Sequence, residues 1–228
     1  MEGRLFTFLG TIGGHGQEWI ILSHFVLVIG IIFLVSRMAT RKMQLVPTGS
    51  QNVMEAFVGG IVSIGTDSMG EKNSRIYMPL IGSLALVIFV SNMMGVIPGF
   101  EAPTSNINFT ASLAIIVFVY YNYLGIKKNG FVNYFKHFMG PLPILAPLMF
   151  PIEIISHFSR IISLSFRLFG SVRGDDMFLM VLLMLVPWIL PLPGFFLLAV
   201  MGVLQAFIFS ILTYVYIAGS IMMEEEHH

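Results

Sequence analysis

Arg167 lies in Ser-Leu-Ser-Phe-Arg-Leu-Phe-Gly (163–170), inside an apolar stretch that otherwise reads as embedded in a membrane. A guanidinium keeps its charge in a protein, and at the bilayer centre it costs about 2.5 kcal/mol or more. The same stretch carries Glu153, His157, Arg160, Arg173, Asp175 and Asp176. Carboxylates and an imidazole take up and release protons, whereas an arginine can only fix the local potential. So many ionisable groups at membrane depth point to a path for ions or protons rather than to an anchor.

On a helix over 152–186 with 100° per residue, Glu153, Arg160 and Arg167 are seven apart and fall within about 40° of one another. His157, Leu164, Ser171 and Asp175 share roughly that face, while Arg173 and Asp176 point elsewhere. Arg167 near the middle, with carboxyl groups on both sides of it, describes two half-paths separated by a positive plug. Plainer readings stand beside this one. Glu153 and Arg160 can pair along a solvated helix, and Arg173 with Asp175 or Asp176 can snorkel at a helix end. Arg167 has mostly apolar flanks and no acid one helical turn away, so it resists such a reading. Gln205, in a later apolar run, is of the type that bonds a neighbouring helix or holds a guanidinium. His15 and His24 read as structural or interfacial. Asn106 and Asn108 are turn residues or the lining of an aqueous entrance.

These groups need long apolar elements to position them. The 228 residues are 56% apolar and 11% charged, which indicates a polytopic membrane protein of one bundle-like domain. Without cysteine, no disulfide or thiolate metal site is possible. The net charge of zero carries no signal of nucleic-acid binding. The first apolar run, 19–36, follows no basic leader and reads as a first membrane helix rather than a cleavable signal. It ends at Arg37, Arg41 and Lys42, which places that end inside and the N-terminus outside. Val53, Phe57, Ile61 and Ile64 recur at helical spacing and predict an amphipathic helix over 52–66 at the inner interface. Run two, 77–97, goes outward to Pro98-Gly99. The loop 100–108, with Glu101 and no base, suits the outer side. Run three, 109–126, returns to Lys127-Lys128. A second short amphipathic piece is expected over 131–139, and Pro141, Pro143, Pro147 and Pro151 suggest a turn or re-entrant segment.

No proline interrupts 152–186, and 35 helical residues would span roughly 52 Å against a hydrocarbon core of about 30 Å. Such a helix must tilt steeply or bend, near Gly170 and Gly174. Pro187, Pro191 and Pro193 make the next turn, outside. A final run, 195–223, comes back in and ends in an acidic, solvated tail. The expected fold is all-α and polytopic. It has about five crossings, short amphipathic helices, and two long steeply tilted C-terminal helices forming a hairpin. The single membrane domain divides into 1–75 (first helix and interfacial helix), 76–128 (helical hairpin), 129–151 (interfacial or re-entrant segment), 152–223 (channel-forming hairpin) and 224–228 (cytoplasmic tail).

The segment 163–170 with Arg167, the acid Asp176, Leu204-Gln205-Ala206-Phe207-Ile208-Phe209, Asn92-Met93-Met94-Gly95-Val96-Ile97-Pro98-Gly99 and Pro103-Thr104-Ser105-Asn106-Ile107-Asn108 together closely resemble the a-subunit family of bacterial rotary F-type ATP synthases. The resemblance covers nearly the whole chain. It implies a stator subunit in the bacterial inner membrane, beside a ring of c subunits with membrane carboxylates. The b-subunit peripheral stalk and the rest of the synthase would be its other partners, in a lipid bilayer, with no cofactor or metal. Two half-channels would lead protons to the ring. Arg167 would face the ring, and Asp176, with Asp175, would serve the outer half-channel. Gln205 would match the glutamine of the last helix, and Glu153, near His157, the acid at the inner exit. Asn106 and Asn108 would lie at the outer entrance. Two departures are Leu198, where some members carry an ionisable group, and Ser171, where asparagine is more usual.

A fixed positive charge favours the ionised form of a passing carboxylate, so each ring carboxylate would release its proton inward beside Arg167. Rotation would then bring it to the outer path for reprotonation. A proton crossing gains about 2.3 kcal/mol per 100 mV, so several must combine, through a ratchet, for one ATP. The chain has no Walker-type phosphate loop, and a non-catalytic role is expected. A stand-alone proton-coupled secondary transporter would call for inverted repeats, of which none is evident. A membrane lipid transferase would want a fuller carboxylate cluster than Asp175-Asp176.

Overall fold

The computed structural model describes residues 17–41, 43–46, 49–130, 134, 146–185 and 191–221. His15, the turn at 187, the tail 224–228 and, apart from Tyr134, the short piece expected over 131–139 lie outside these residues. The described residues form five long helices and no strand: α1 (Gln17–Thr40), α2 (Ser50–Val96), α3 (Ile107–Asn129), α4 (Ala146–Leu185) and α5 (Pro191–Ile221), with a 3₁₀ turn at Pro103–Ser105. The all-α polytopic plan is therefore as expected. Four of the helices are long and apolar enough to cross a membrane over Trp19–Thr40, Ser50–Val96, Ile107–Lys128 and Leu192–Ile221. α4 is as long, but it carries Glu153, Arg160, Arg167, Arg173, Asp175 and Asp176 and is not among the four.

The amphipathic segment 52–66 and run two are not separate helices in the chain. They join in α2 across a break at Gly70, whose φ of 79° and ψ of 159° leave the helical region. That backbone conformation is open to glycine and costly for other residues. The chain turns back there, so that the Ser74 hydroxyl donates to the Val62 carbonyl at 2.8 Å. Tyr214 of α5, fully buried, packs over Gly65, where an added Cβ would stand 2.5 Å from its ring.

Two boundaries differ from the sequence reading, both at prolines. α4 begins at Ala146 and runs through Pro151, and α5 begins at Pro191 and includes Pro193. Pro147, Pro191 and Pro193 fall in first turns, where the amide N–H groups have no intrahelical partner, so they remove little; Pro151, the sixth residue of α4, forfeits one bond to the Pro147 carbonyl. α4 continues through Gly170 and Gly174 with no helical residue lost. At 40 residues it measures about 60 Å, twice the hydrocarbon thickness of a bilayer.

The core gathers Ile81, Leu84, Ala85 and Ile88 of α2, Leu113, Ala114 and Val117 of α3, Leu164 and Leu168 of α4, and Phe209 and Ile217 of α5. α2 and α5 pack most extensively, and α4 lies against both α3 and α5. α1 stands at the side, held by Phe25 against Phe109 (5.3 Å between ring centroids) and by His24 against Phe100 (6.0 Å). Apolar side chains such as Phe33, Val119, Phe158, Phe166 and Phe196 are exposed on the outer faces, as expected for a surface covered by lipid or partner helices.

Candidate functional site

The ionisable residues of α4 separate into three places along its length. Near its N-terminal end, Glu153, His157 and Arg160 meet α3 and α5. His157 is buried; its Nδ1 lies 2.9 Å from the Tyr121 hydroxyl and its Nε2 lies 3.5 Å from Glu153 Oε1. This is an i, i+4 pair along one helix face. Arg160 does not pair with Glu153. Its guanidinium lies 6.0 Å from the Tyr121 ring centre and 5.4 Å from that of Tyr216, in cation–π geometry. Tyr134 completes the cluster, donating from its hydroxyl to Asn122 Oδ1 at 2.7 Å.

Near the C-terminal end of α4 is a cleft lined by Ser171, Val172, Asp175 and Asp176, by Asn92, Gly95 and Val96 of α2, by Ala102, and by Leu198, Met201, Gly202 and Gln205 of α5. It has room for a water molecule, about 20 Å³. Asp176 thus stands beside Asp175 on the cleft side of α4, not away from the polar face as a strict 100° projection placed it. A cleft formed by three elements wraps far enough round the helix to take in i, i+1, i+4 and i+5.

Glycines set the walls of this cleft. A Cβ on Gly202 would lie 3.1 Å from Asn92 Cβ and 3.0 Å from Met93 Cε, and one on Gly95 would lie 2.8 Å from Ala102 Cβ. The close approach lets Asn92 Nδ2 donate to the Gly202 carbonyl at 3.3 Å, while Thr104 donates to Asn92 Oδ1 at 2.7 Å. Gln205 is 6% exposed and its Nε2 has no hydrogen-bond partner among the described residues. A buried amide N–H without an acceptor is costly, and this one belongs to a side chain that lines a polar cleft with room for water.

Arg167 stands between these two regions and belongs to neither. It is exposed, and it makes no hydrogen bond or ion pair among the described residues. Gln205 does not hold it. Beyond it on α4, Gly170 and Gly174 are also exposed, and a Cβ on either would meet nothing within 4 Å. Nothing among the described residues therefore requires glycine there. Between the two polar regions α4 is sealed by core packing of Leu164 and Leu168 and by the buried Ser165, which meets Thr110 of α3 at 3.3 Å.

Asn106 caps α3: its Oδ1 accepts from the Asn108 N–H at 2.8 Å. Asn108 is exposed, and neither asparagine is among the cleft-lining residues. Asn92, Thr104 and Tyr121 were not picked out by the chemistry of their sequence surroundings, and Tyr216 stood out only as a polar residue of the last helix. An asparagine inside an apolar run is the one signal that would have marked Asn92. The tyrosines look like ordinary core residues until the fold brings them to His157 and Arg160.

A separated pair of polar regions on one long helix, with a lone cation between them, narrows the candidate families, and sequence comparison decides among them. The family described as ATP synthase A chain matches residues 20–218. The chain belongs to that family. It is 88% identical over 228 residues, the full length of both chains, to the ATP synthase subunit a of Aliarcobacter butzleri. It is 56% identical over 226 residues, 99% of each chain, to that of a Nitratiruptor species. The subunit a of Helicobacter hepaticus is 56% identical over 227 residues, 100% of each chain.

Proposed function

We infer that the chain is the stator proton-channel subunit of an F-type ATP synthase, giving protons two offset half-channels and coupling their passage to rotation and ATP synthesis. The relatives do not favour a stand-alone transporter. The observation that carries the mechanism is the place of Arg167: an exposed guanidinium, unpaired among the described residues, between two polar regions that the core of the chain keeps apart.

The N-terminus is outside and the C-terminus cytoplasmic, in the bacterial inner membrane. The chain acts as one membrane domain, with 152–223 as its channel-forming hairpin. The cleft of Asp175, Asp176 and Gln205 is the outer half-channel, with Asn106 and Asn108 at its mouth. The cluster of Glu153 and His157 is the inner exit. The exposed face of Arg167, with Gly170 and Gly174, meets the c-subunit ring. The open space at the two glycines supports this, since a partner helix can approach the backbone closely there. The b-subunit stalk and the rest of the synthase hold the chain still while the ring turns. The chain itself does no chemistry on ATP.

In this scheme a ring carboxylate reprotonated at the outer cleft crosses lipid in neutral form. On reaching Arg167 from the other side it ionises, because the guanidinium stabilises its charge. Its proton leaves by the inner cluster. Replacing Arg167 with alanine removes the group that enforces ionisation at that point. In vesicles containing the reconstituted synthase, Arg167→Ala abolishes both ATP-driven pumping and proton-driven ATP synthesis while the complex still assembles. Coupled synthesis retained by an assembled Arg167→Ala complex overturns the mechanism.

A further inference from the structure

Tyr121 of α3 is fully buried, and its hydroxyl meets the imidazole of the inner cluster. The row Tyr121–His157–Glu153 runs from the core to the protein surface: the His157 side chain is 6% exposed and that of Glu153 is 35% exposed. The other charged and titratable groups around the row are Arg160 of α4, over the rings of Tyr121 and Tyr216, Tyr216 of α5 itself, and Tyr134. At the end of α3, Lys127 lies over the Tyr123 ring and Lys128 donates to the Ile221 carbonyl.

A neutral imidazole has one N–H donor and one bare acceptor nitrogen. A bare Nε2 facing an ionised Glu153 at 3.5 Å would set lone pair against negative charge. The favoured neutral state therefore has the Tyr121 hydroxyl donating to Nδ1 and the Nε2–H directed at Glu153. When His157 gains a proton both nitrogens donate, Nε2–H to Glu153 and Nδ1–H to the tyrosine oxygen. A hydroxyl both donates and accepts, so Tyr121 serves both states by rotating its O–H, with no heavy atom displaced.

Resting on the channel function inferred above, we propose that Tyr121 is a positioning residue of the inner half-channel: it fixes the ring of His157 towards Glu153 in both protonation states and so makes His157 the proton carrier at the exit. As imidazolium, His157 gives its Nε2–H proton to the Glu153 carboxylate, and the resulting carboxylic acid releases it to solvent. The bare Nε2 then takes the next proton from water in the path, while Nδ1–H stays on the Tyr121 oxygen throughout. One proton leaves, one comes in, and both bonds made and broken are at Nε2.

The test uses the complete synthase in vesicles, with pumping measured as a function of pH on the inner-exit side for wild type, Tyr121→Phe, His157→Gln and the double variant. At equal assembly each single variant lowers flux by about tenfold or more, since a positioned acid–base group contributes ~10²–10⁴, and each flattens the same limb of the inner-side pH profile. The double variant is no slower than His157→Gln, because Tyr121 acts through His157. A Tyr121→Phe complex with the wild-type profile overturns the proposal, as do additive effects in the double variant. If Tyr121→Phe does not assemble, an unchanged profile in His157→Gln overturns it equally. Arg167→Ala run alongside separates the two claims. Coupling retained there refutes the channel mechanism, whereas coupling lost there with an unchanged Tyr121→Phe profile refutes only the role of Tyr121.

Discussion

The two ends of α4 are polar in different ways. At the inner cluster the groups face one another: phenol bonded to imidazole, imidazole Nε2 at 3.5 Å from a carboxylate oxygen, guanidinium over aromatic rings. At the outer cleft two neighbouring acids and an amide unpartnered among the described residues line space for water, and the walls are held by glycine contacts and the Asn92 hydrogen bonds. On the proposed function, the outer side would work through water admitted to a shaped space, and the inner side through side chains already in line. Substitutions that change shape should therefore damage the outer side most, and substitutions that change hydrogen bonding the inner side.

The largest effect on that contrast comes from filling the outer cleft. Gly202→Leu drives a side chain against Asn92 and Met93, at an overpacking cost of about 1–3 kcal/mol. It should reduce pumping to near background in assembled complexes, with the form of the inner-side pH profile unchanged. A Gly202→Leu complex with normal flux would mean that protons do not use this cleft. Asp176→Asn keeps the shape and removes a titratable group. It should slow flux severalfold rather than stop it, because Asp175 and water remain; flux in vesicles equal to wild type would take Asp176 out of the path. Asn106→Ala should do least. It removes the cap of α3, worth about 1 kcal/mol, and so should lower thermal stability with little change in flux, and Asn106→Ser should restore the stability. A loss of flux matching that of Asp176→Asn would give Asn106 a part in conduction.

The sequence carried the long elements well, because apolar runs of membrane length and their charged ends leave few alternatives. It also isolated Arg167, since a charge with apolar flanks and no local partner is visible in one dimension. The break at Gly70 was hidden because two helical patterns meet there within a polar stretch, and only the backbone shows that Ser74 returns to Val62. The helical starts at Ala146 and Pro191 were hidden by prolines: Pro147, Pro191 and Pro193 stand where a first turn tolerates them, and α4 carries Pro151 at the cost of one backbone bond. The pairing of Glu153 with His157, instead of Arg160, depends on Tyr121 and Tyr216 arriving from other helices to take the guanidinium. The cleft depends likewise on Asn92 and Gly202, 110 residues apart.

The central claim is that the outer and inner paths never join and that Arg167 keeps them apart at the ring. The most direct measurement is passive proton leak through reconstituted synthase whose rotor has been cross-linked to the stator so that it cannot turn. Wild type should be tight, and Arg167→Ala should leak, because a ring carboxylate can then exchange protons with both paths from one position. A halted wild-type complex that conducts, or a halted Arg167→Ala complex that stays as tight as wild type, would contradict the account.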